Sequence, residues 1–179
     1  MALPCIEQET GRDPRHAVIW LHGLGADGND FASIVPELID ADWPPLRFVF
    51  PHAPVRAITI NGGVTMRAWY DISGLEIAQR QDEAGIRTSI GQVGELIERE
   101  IARGVPVGNI LLAGFSQGGA VVLSAGIRNA QRLGGVIALS TYLPMAEKTD
   151  AEASAANRDV PISWRTACSI RPSRTRSVR

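Results

Sequence analysis

An α/β architecture built on a mostly parallel sheet is the fold class this sequence predicts, and three observations predict it. A short, continuous apolar run stands at residues 17–21, and further largely apolar stretches recur at 46–50, 109–113 and 134–140. Runs without polar alternation mark strands buried on both faces. Segments with apolar steps of three and four, at residues 31–39 and 82–103, lie between them and read as helices. Breaks rich in glycine and proline separate one kind of segment from the other, as alternating strands and helices require.

Taken in order, a polar lead-in precedes the first run, Ala17-Val18-Ile19-Trp20-Leu21. That run enters a glycine-rich loop, His22 to Asp30. Phe31, Ile34, Val35 and Leu38 keep helical spacing until Asp42-Trp43-Pro44-Pro45 stops it, with Asn29 or Asp30 placed to cap its start. Leu46 to Phe50 is a second strand, closed by Pro51 and Pro54. Residues 55–79 read as a long loop, a length more often functional than idle. Ile86, Ile90, Val93, Ile97 and Ile101 then form one face of a long amphipathic helix that Gly104 and Pro106 end. A third strand (109–113), a small-residue helix from Ala120 and a fourth strand (134–140) follow. Val160-Pro161-Ile162 opens one more.

Composition narrows the possibilities. The chain has 179 residues, enough for one domain with a substantial core. A hydrophobic fraction of 45% is ordinary, and a net charge of −1 suggests neither a nucleic-acid nor a membrane partner. The N-terminus has no basic segment leading into an apolar one, and no run is long enough to span a bilayer, so a cytoplasmic protein is expected. Cys5 and Cys168 offer neither a disulfide framework nor metal-ligand spacing. The charge is unevenly placed. Residues 1–163 hold all 19 acids and 13 of the 18 bases, whereas residues 164–179 hold five arginines and no acid.

The most informative stretch is Gly114-Phe115-Ser116-Gln117-Gly118-Gly119, between a strand and a helix. Strand, Gly-x-Ser-x-Gly, helix is the pattern of a nucleophile elbow. A turn that tight tolerates only small residues beside the serine. It lifts the serine hydroxyl above a helix N-terminus, whose free N–H groups can stabilise an oxyanion. A nucleotide-binding reading of Gly23, Gly25 and Gly28 is weak: the spacing is not G-x-G-x-x-G, and there is no Walker lysine.

Further motifs stand around this one: Leu21-His22-Gly23-Leu24-Gly25-Ala26-Asp27-Gly28, Phe50-Pro51-His52-Ala53-Pro54, Asn61-Gly62-Gly63, Trp69-Tyr70-Asp71 and Ser140-Thr141-Tyr142-Leu143-Pro144. Together, and in this order, they make residues 17–162 resemble the carboxylesterase/acyl-protein thioesterase family of α/β-hydrolases. The resemblance implies an α/β-hydrolase fold, with a mostly parallel central sheet, helices on both faces and the C-terminal strands cut short. It implies hydrolysis of a small ester or acyl-thioester through an acyl-serine, without metal or organic cofactor, and it leaves room for a homodimer. Ser116 is then the nucleophile, and the backbone N–H groups of Leu24 and Gln117 form the oxyanion hole. Trp69 and Phe115 are candidate substrate contacts.

One departure matters. In this fold an acid and then a histidine follow the serine, yet His16, His22 and His52 all precede Ser116. His22 is expected to make a structural hydrogen bond, His52 to hold a turn and His16 to be solvated. Glu147, Asp150, Glu152 and Asp159 read as a solvated face. Residues 164–179 do not continue the strand pattern. Re-reading their codons in another frame permits the family's His-Gly-x-x-Asp-Pro, so a frame slip near Ser163 is expected, with a true basic extension as the alternative. Residues 1–163 are thus read as an incomplete hydrolase domain and 164–179 as a disordered tail. Impaired catalysis is expected, and the rival reading is a non-catalytic binding protein.

Overall fold

The computed structural model describes residues 3–74 and 82–165. In chain order the strands are β1 (Cys5–Glu9), β2 (His16–Leu21), β3 (Leu46–Pro51), β4 (Val55–Ile58), β5 (Val64–Arg67), β6 (Ile110–Phe115), β7 (Gly135–Leu139) and β8 (Ile162–Arg165). The helices are α1 (Asn29–Ala32), α2 (Val35–Leu38), α3 (Glu83–Ala102), α4 (Gln117–Arg128) and α5 (Thr149–Glu152). Six strands form the main sheet in the order β1-β3-β2-β6-β7-β8, and β4 and β5 form a separate hairpin. All main-sheet pairs are parallel except β1 with β3.

The apolar runs become the central strands because both of their faces are covered. On one face Ile19, Leu21, Val49, Ile110 and Leu112 pack with Ile86, Val93 and Ile97 of α3 and Val121 and Val122 of α4. On the other, Val18, Trp20, Phe48 and Phe50 pack with Ala32 and Val35 of the short helices. Burying each such aliphatic side chain contributes about 1.5–3 kcal/mol. Asp82 caps α3 by accepting the Gly85 N–H at 2.9 Å. Gly104, at φ 91°, lets the chain leave the helix. Near that end the buried carboxylate of Glu100 receives Arg47 at 2.8 Å, Arg103 at 3.0 Å and Arg99 at 3.3 Å, joining β3 to α3.

Four elements differ from the sequence expectation. The helix expected over 31–39 is two single turns, with Pro36 in the first turn of the second. The polar lead-in holds β1, an antiparallel edge strand on β3, where one polar face suffices. The segment read as a long loop begins with the β4–β5 hairpin, turned through Gly62 and Gly63 at φ 66° and 82°; its residues 75–79 lie outside the described residues. The last strand also continues past 163. Trp164 and Arg165 pair with Ala138 and Leu139, and the Trp164 indole donates to the Thr141 carbonyl at 3.1 Å. Ladder bonds belong to the backbone, so a break in composition does not by itself end a strand. Residues 166–179, on which the frame-slip and disorder expectations fall, are not among those described.

Candidate active site

β6 delivers Ser116 to the carboxyl edge of the sheet, where α4 begins. The serine has φ 52° and ψ −116°, a conformation that costs a non-glycine residue about 1–3 kcal/mol. Its neighbours hold it there. The Ser116 N–H donates to Leu139 O at 2.9 Å, while its carbonyl accepts the Thr141 hydroxyl at 2.7 Å and the Ala120 N–H at 3.1 Å. The flanking glycines are steric necessities: a Cβ on Gly114 would lie 2.5 Å from Gly118 O, and one on Gly118 would lie 2.5 Å from Leu21 O. The helix thus starts against the strand, with the N–H groups of its first turn unpaired within it.

The loop after β2 comes to the same place. A Cβ on Gly23 would sit 3.2 Å from the Phe115 ring and 3.5 Å from Ser116 Cβ, so the Gly23–Leu24 peptide lies beside the serine. The Gly25 N–H anchors that loop to Arg67 O of β5 at 2.9 Å. Leu24, Ser116 and Gln117 line one cavity of about 210 Å³, with Tyr70, Asp71, Ile72, Ser140, Thr141 and Tyr142. The three residues assigned to nucleophile and oxyanion hole therefore meet at one opening.

The side chain of Gln117 is buried and clamps the wall of that cavity. Its Oε1 accepts the Trp69 N–H at 2.8 Å, and its Nε2 donates to Tyr70 O at 2.7 Å. Trp69 is fully enclosed, its indole N–H donating to His22 O at 2.9 Å and its carbonyl accepting the Ser89 hydroxyl at 2.5 Å. It supports the site from below, so the expectation of a substrate contact is corrected; Tyr70, Asp71 and Ile72 face the cavity instead. Phe115 is 39% exposed and lies against Phe31, at 6.0 Å between ring centroids, outside the cavity lining. A residue's place in a motif could not reveal which side of the turn its ring takes.

Each histidine is accounted for. The Ala53 N–H donates to His22 Nε2 at 3.0 Å, so the ring proton sits on Nδ1, 2.7 Å from Gly23 O. Burial also pushes the His22 pKa below its ordinary value, which keeps the ring neutral. His52 accepts the Gly28 N–H at 3.1 Å and holds its turn. His16 is half-buried rather than solvated, and its Nδ1 is enclosed without a partner among the described residues. No histidine lines the cavity. Asp71 does, but its carboxylate accepts the Thr59 N–H at 2.8 Å and the Thr59 hydroxyl at 2.5 Å, which hold its pKa low.

The His22 geometry sets a pH dependence. A folded-state pKa below the unfolded value gives stability that is complete above about pH 6.5 and lost as pH falls further. The urea midpoint should therefore drop between about pH 7.5 and about pH 5, and His22→Asn should lose part of that drop. An unchanged drop in the variant would remove His22 as its cause.

Sequence reasoning quoted Ser140-Thr141-Tyr142 as a motif but gave it no task. In the structure β7 neighbours β6, and sites on such sheets gather at carboxyl strand ends, which puts this motif beside Ser116. The Tyr70 and Tyr142 hydroxyls meet at 2.9 Å, a contact across 72 positions that no local pattern encodes.

Known proteins resemble this chain in sequence and in fold. A family model described as Phospholipase/Carboxylesterase matches residues 4–167. Acyl-protein thioesterase 1 of Schizosaccharomyces pombe is 40% identical over 145 residues, 81% of this chain and 64% of that protein. The protein of the same name from Cryptococcus neoformans is 35% identical over 150 residues, 82% of this chain and 63% of that one. The chain thus spans just under two thirds of the length of both relatives. Among solved structures, Arabidopsis thaliana SOBER1 superposes with a TM-score of 0.78 at 29% identity, covering 83% of this chain and 72% of that one. Zea mays acyl-protein thioesterase 2 gives 0.71 at 25% identity, covering 83% and 66%. The chain belongs to the phospholipase/carboxylesterase family of α/β-hydrolases.

Proposed function

We propose that this chain carries the nucleophile and oxyanion half of a serine hydrolase acting on carboxylic esters or thioesters. The observation that carries this reading is the backbone of Ser116, strained at φ 52° and placed where α4 begins, in one cavity with Leu24 and Gln117. In the reaction the Ser116 Oγ bonds to the acyl carbon while its proton passes to solvent. The carbonyl electrons move onto oxygen, facing the N–H groups of Leu24 and Gln117. Collapse of that adduct breaks the bond to the leaving group and leaves acyl-Ser116, which water then releases as the acid.

With no imidazole facing Ser116 among the described residues, both proton transfers fall to solvent. Catalysis is then slower by several orders of magnitude than in a complete triad, though oxyanion stabilisation and binding can still leave about a thousandfold over water. A thioester suits such a site better than an alkyl ester. A thiol of pKa about 8.5 departs as thiolate without a general acid. The resemblance to relatives named acyl-protein thioesterases supports the same class. A cytoplasmic location and a homodimer stay part of this reading; no described helix is long and apolar enough to cross a membrane.

A serine-directed fluorophosphonate probe, read by peptide mass mapping, tests the assignment. With no base in reach among the described residues the labelling should be slow, but the label should sit on Ser116 and vanish in Ser116→Ala. A label elsewhere that survives the substitution contradicts the reading and favours a binding protein on a hydrolase scaffold.

A further inference from the structure

Apart from Ser116 and the N–H groups assigned to the oxyanion hole, the cavity has a mostly apolar wall with a tyrosine pair in it. Thr141 gives its hydroxyl hydrogen to Ser116 O, the Asp71 carboxylate is held by Thr59, and the Gln117 amide is held by Trp69 and Tyr70. Ser140 is exposed, so water satisfies it. Tyr70 and Tyr142 differ from these. Their hydroxyls share one hydrogen bond of 2.9 Å, which uses one of two hydroxyl hydrogens. Whichever tyrosine accepts keeps its own O–H, and both residues line the cavity, Tyr70 buried and Tyr142 half-buried.

We propose that the Tyr70–Tyr142 pair donates a hydrogen bond to an oxygen on the substrate's acyl chain, so that the cavity selects short acyl groups bearing a hydroxyl or oxo group over plain hydrocarbon ones. This rests on the hydrolase reading given above. The cavity of about 210 Å³ has room for a short acyl chain beside Ser116. Desolvation raises the pKa of both tyrosines, so the pair stays neutral and keeps its donor across the physiological range. A site that has a buried donor to satisfy discriminates against a ligand that leaves it unpaired.

The pair also dictates which variant is informative. Removing one hydroxyl frees the other to donate, so a single phenylalanine substitution retains a donor. Tyr70→Phe with Tyr142→Phe removes both donors and both acceptors together at nearly constant shape, a change that stability tolerates well. The probes are the phenyl thioesters of butyric and 3-hydroxybutyric acid, and the readout is the rate at which acyl-Ser116 appears by intact mass. The unaltered chain should favour the hydroxyacyl compound by about tenfold, the scale of one neutral hydrogen bond of ~1.4 kcal/mol. The double variant should lose that preference. Equal rates in the unaltered chain, or a preference that survives in the double variant, overturn this inference and leave the hydrolase reading intact. Failure of both compounds to acylate Ser116 overturns the two together.

Discussion

Gly118→Ala should lower the stability of the fold by about 3 kcal/mol, roughly a hundredfold in the unfolding equilibrium. The added methyl would lie 2.5 Å from Leu21 O and would also press on His22 O. Neither oxygen can yield cheaply. Leu21 is paired with Gly114 in the centre of the sheet, and His22 O accepts the Trp69 indole at 2.9 Å. The only relief is to push α4 off β2, which also moves the Gln117 N–H away from the serine. Gly91→Ala is the matched comparison, because the space beside Gly91 in α3 is open. There the same methyl should stabilise by up to ~1 kcal/mol through helix propensity. Urea unfolding of both variants reads the difference, and equal midpoints would mean that α4 does not depend on that close approach.

What the sequence disclosed and what it hid divide along physical lines. The central strands were legible because burial on both faces demands unbroken apolar runs, as in Ala17 to Leu21. The turn at Ser116 was legible because two glycines beside one serine answer a local steric demand. β1 and the β4–β5 hairpin were not legible. Each has a solvated face or edge and carries polar residues that propensity alone assigns to loops. Trp69 was misjudged for another reason. Whether an aromatic side chain contacts a ligand or supports the site depends on partners 47 and 48 residues away, His22 and Gln117. The Tyr70–Tyr142 contact belongs to the same class, since it exists only once β7 lies beside β6.

In the proposed reading Ser116 is the reacting group, and among the described residues the ring nitrogens of His22 and His52 bond elsewhere. The pH dependence of Ser116 acylation reads both points at once. A histidine base would make the rate level off above its pKa, near 6.5 in the ordinary case. Without one, the rate follows the concentration of hydroxide or alkoxide. The measurement is the rate of acyl-Ser116 formation from a phenyl thioester, by intact mass, between about pH 6 and about pH 9. The expected result is a single acyl group, absent from Ser116→Ala, forming about tenfold faster per pH unit with no plateau. A plateau with a midpoint near pH 6.5, or acylation that persists in Ser116→Ala, would contradict it.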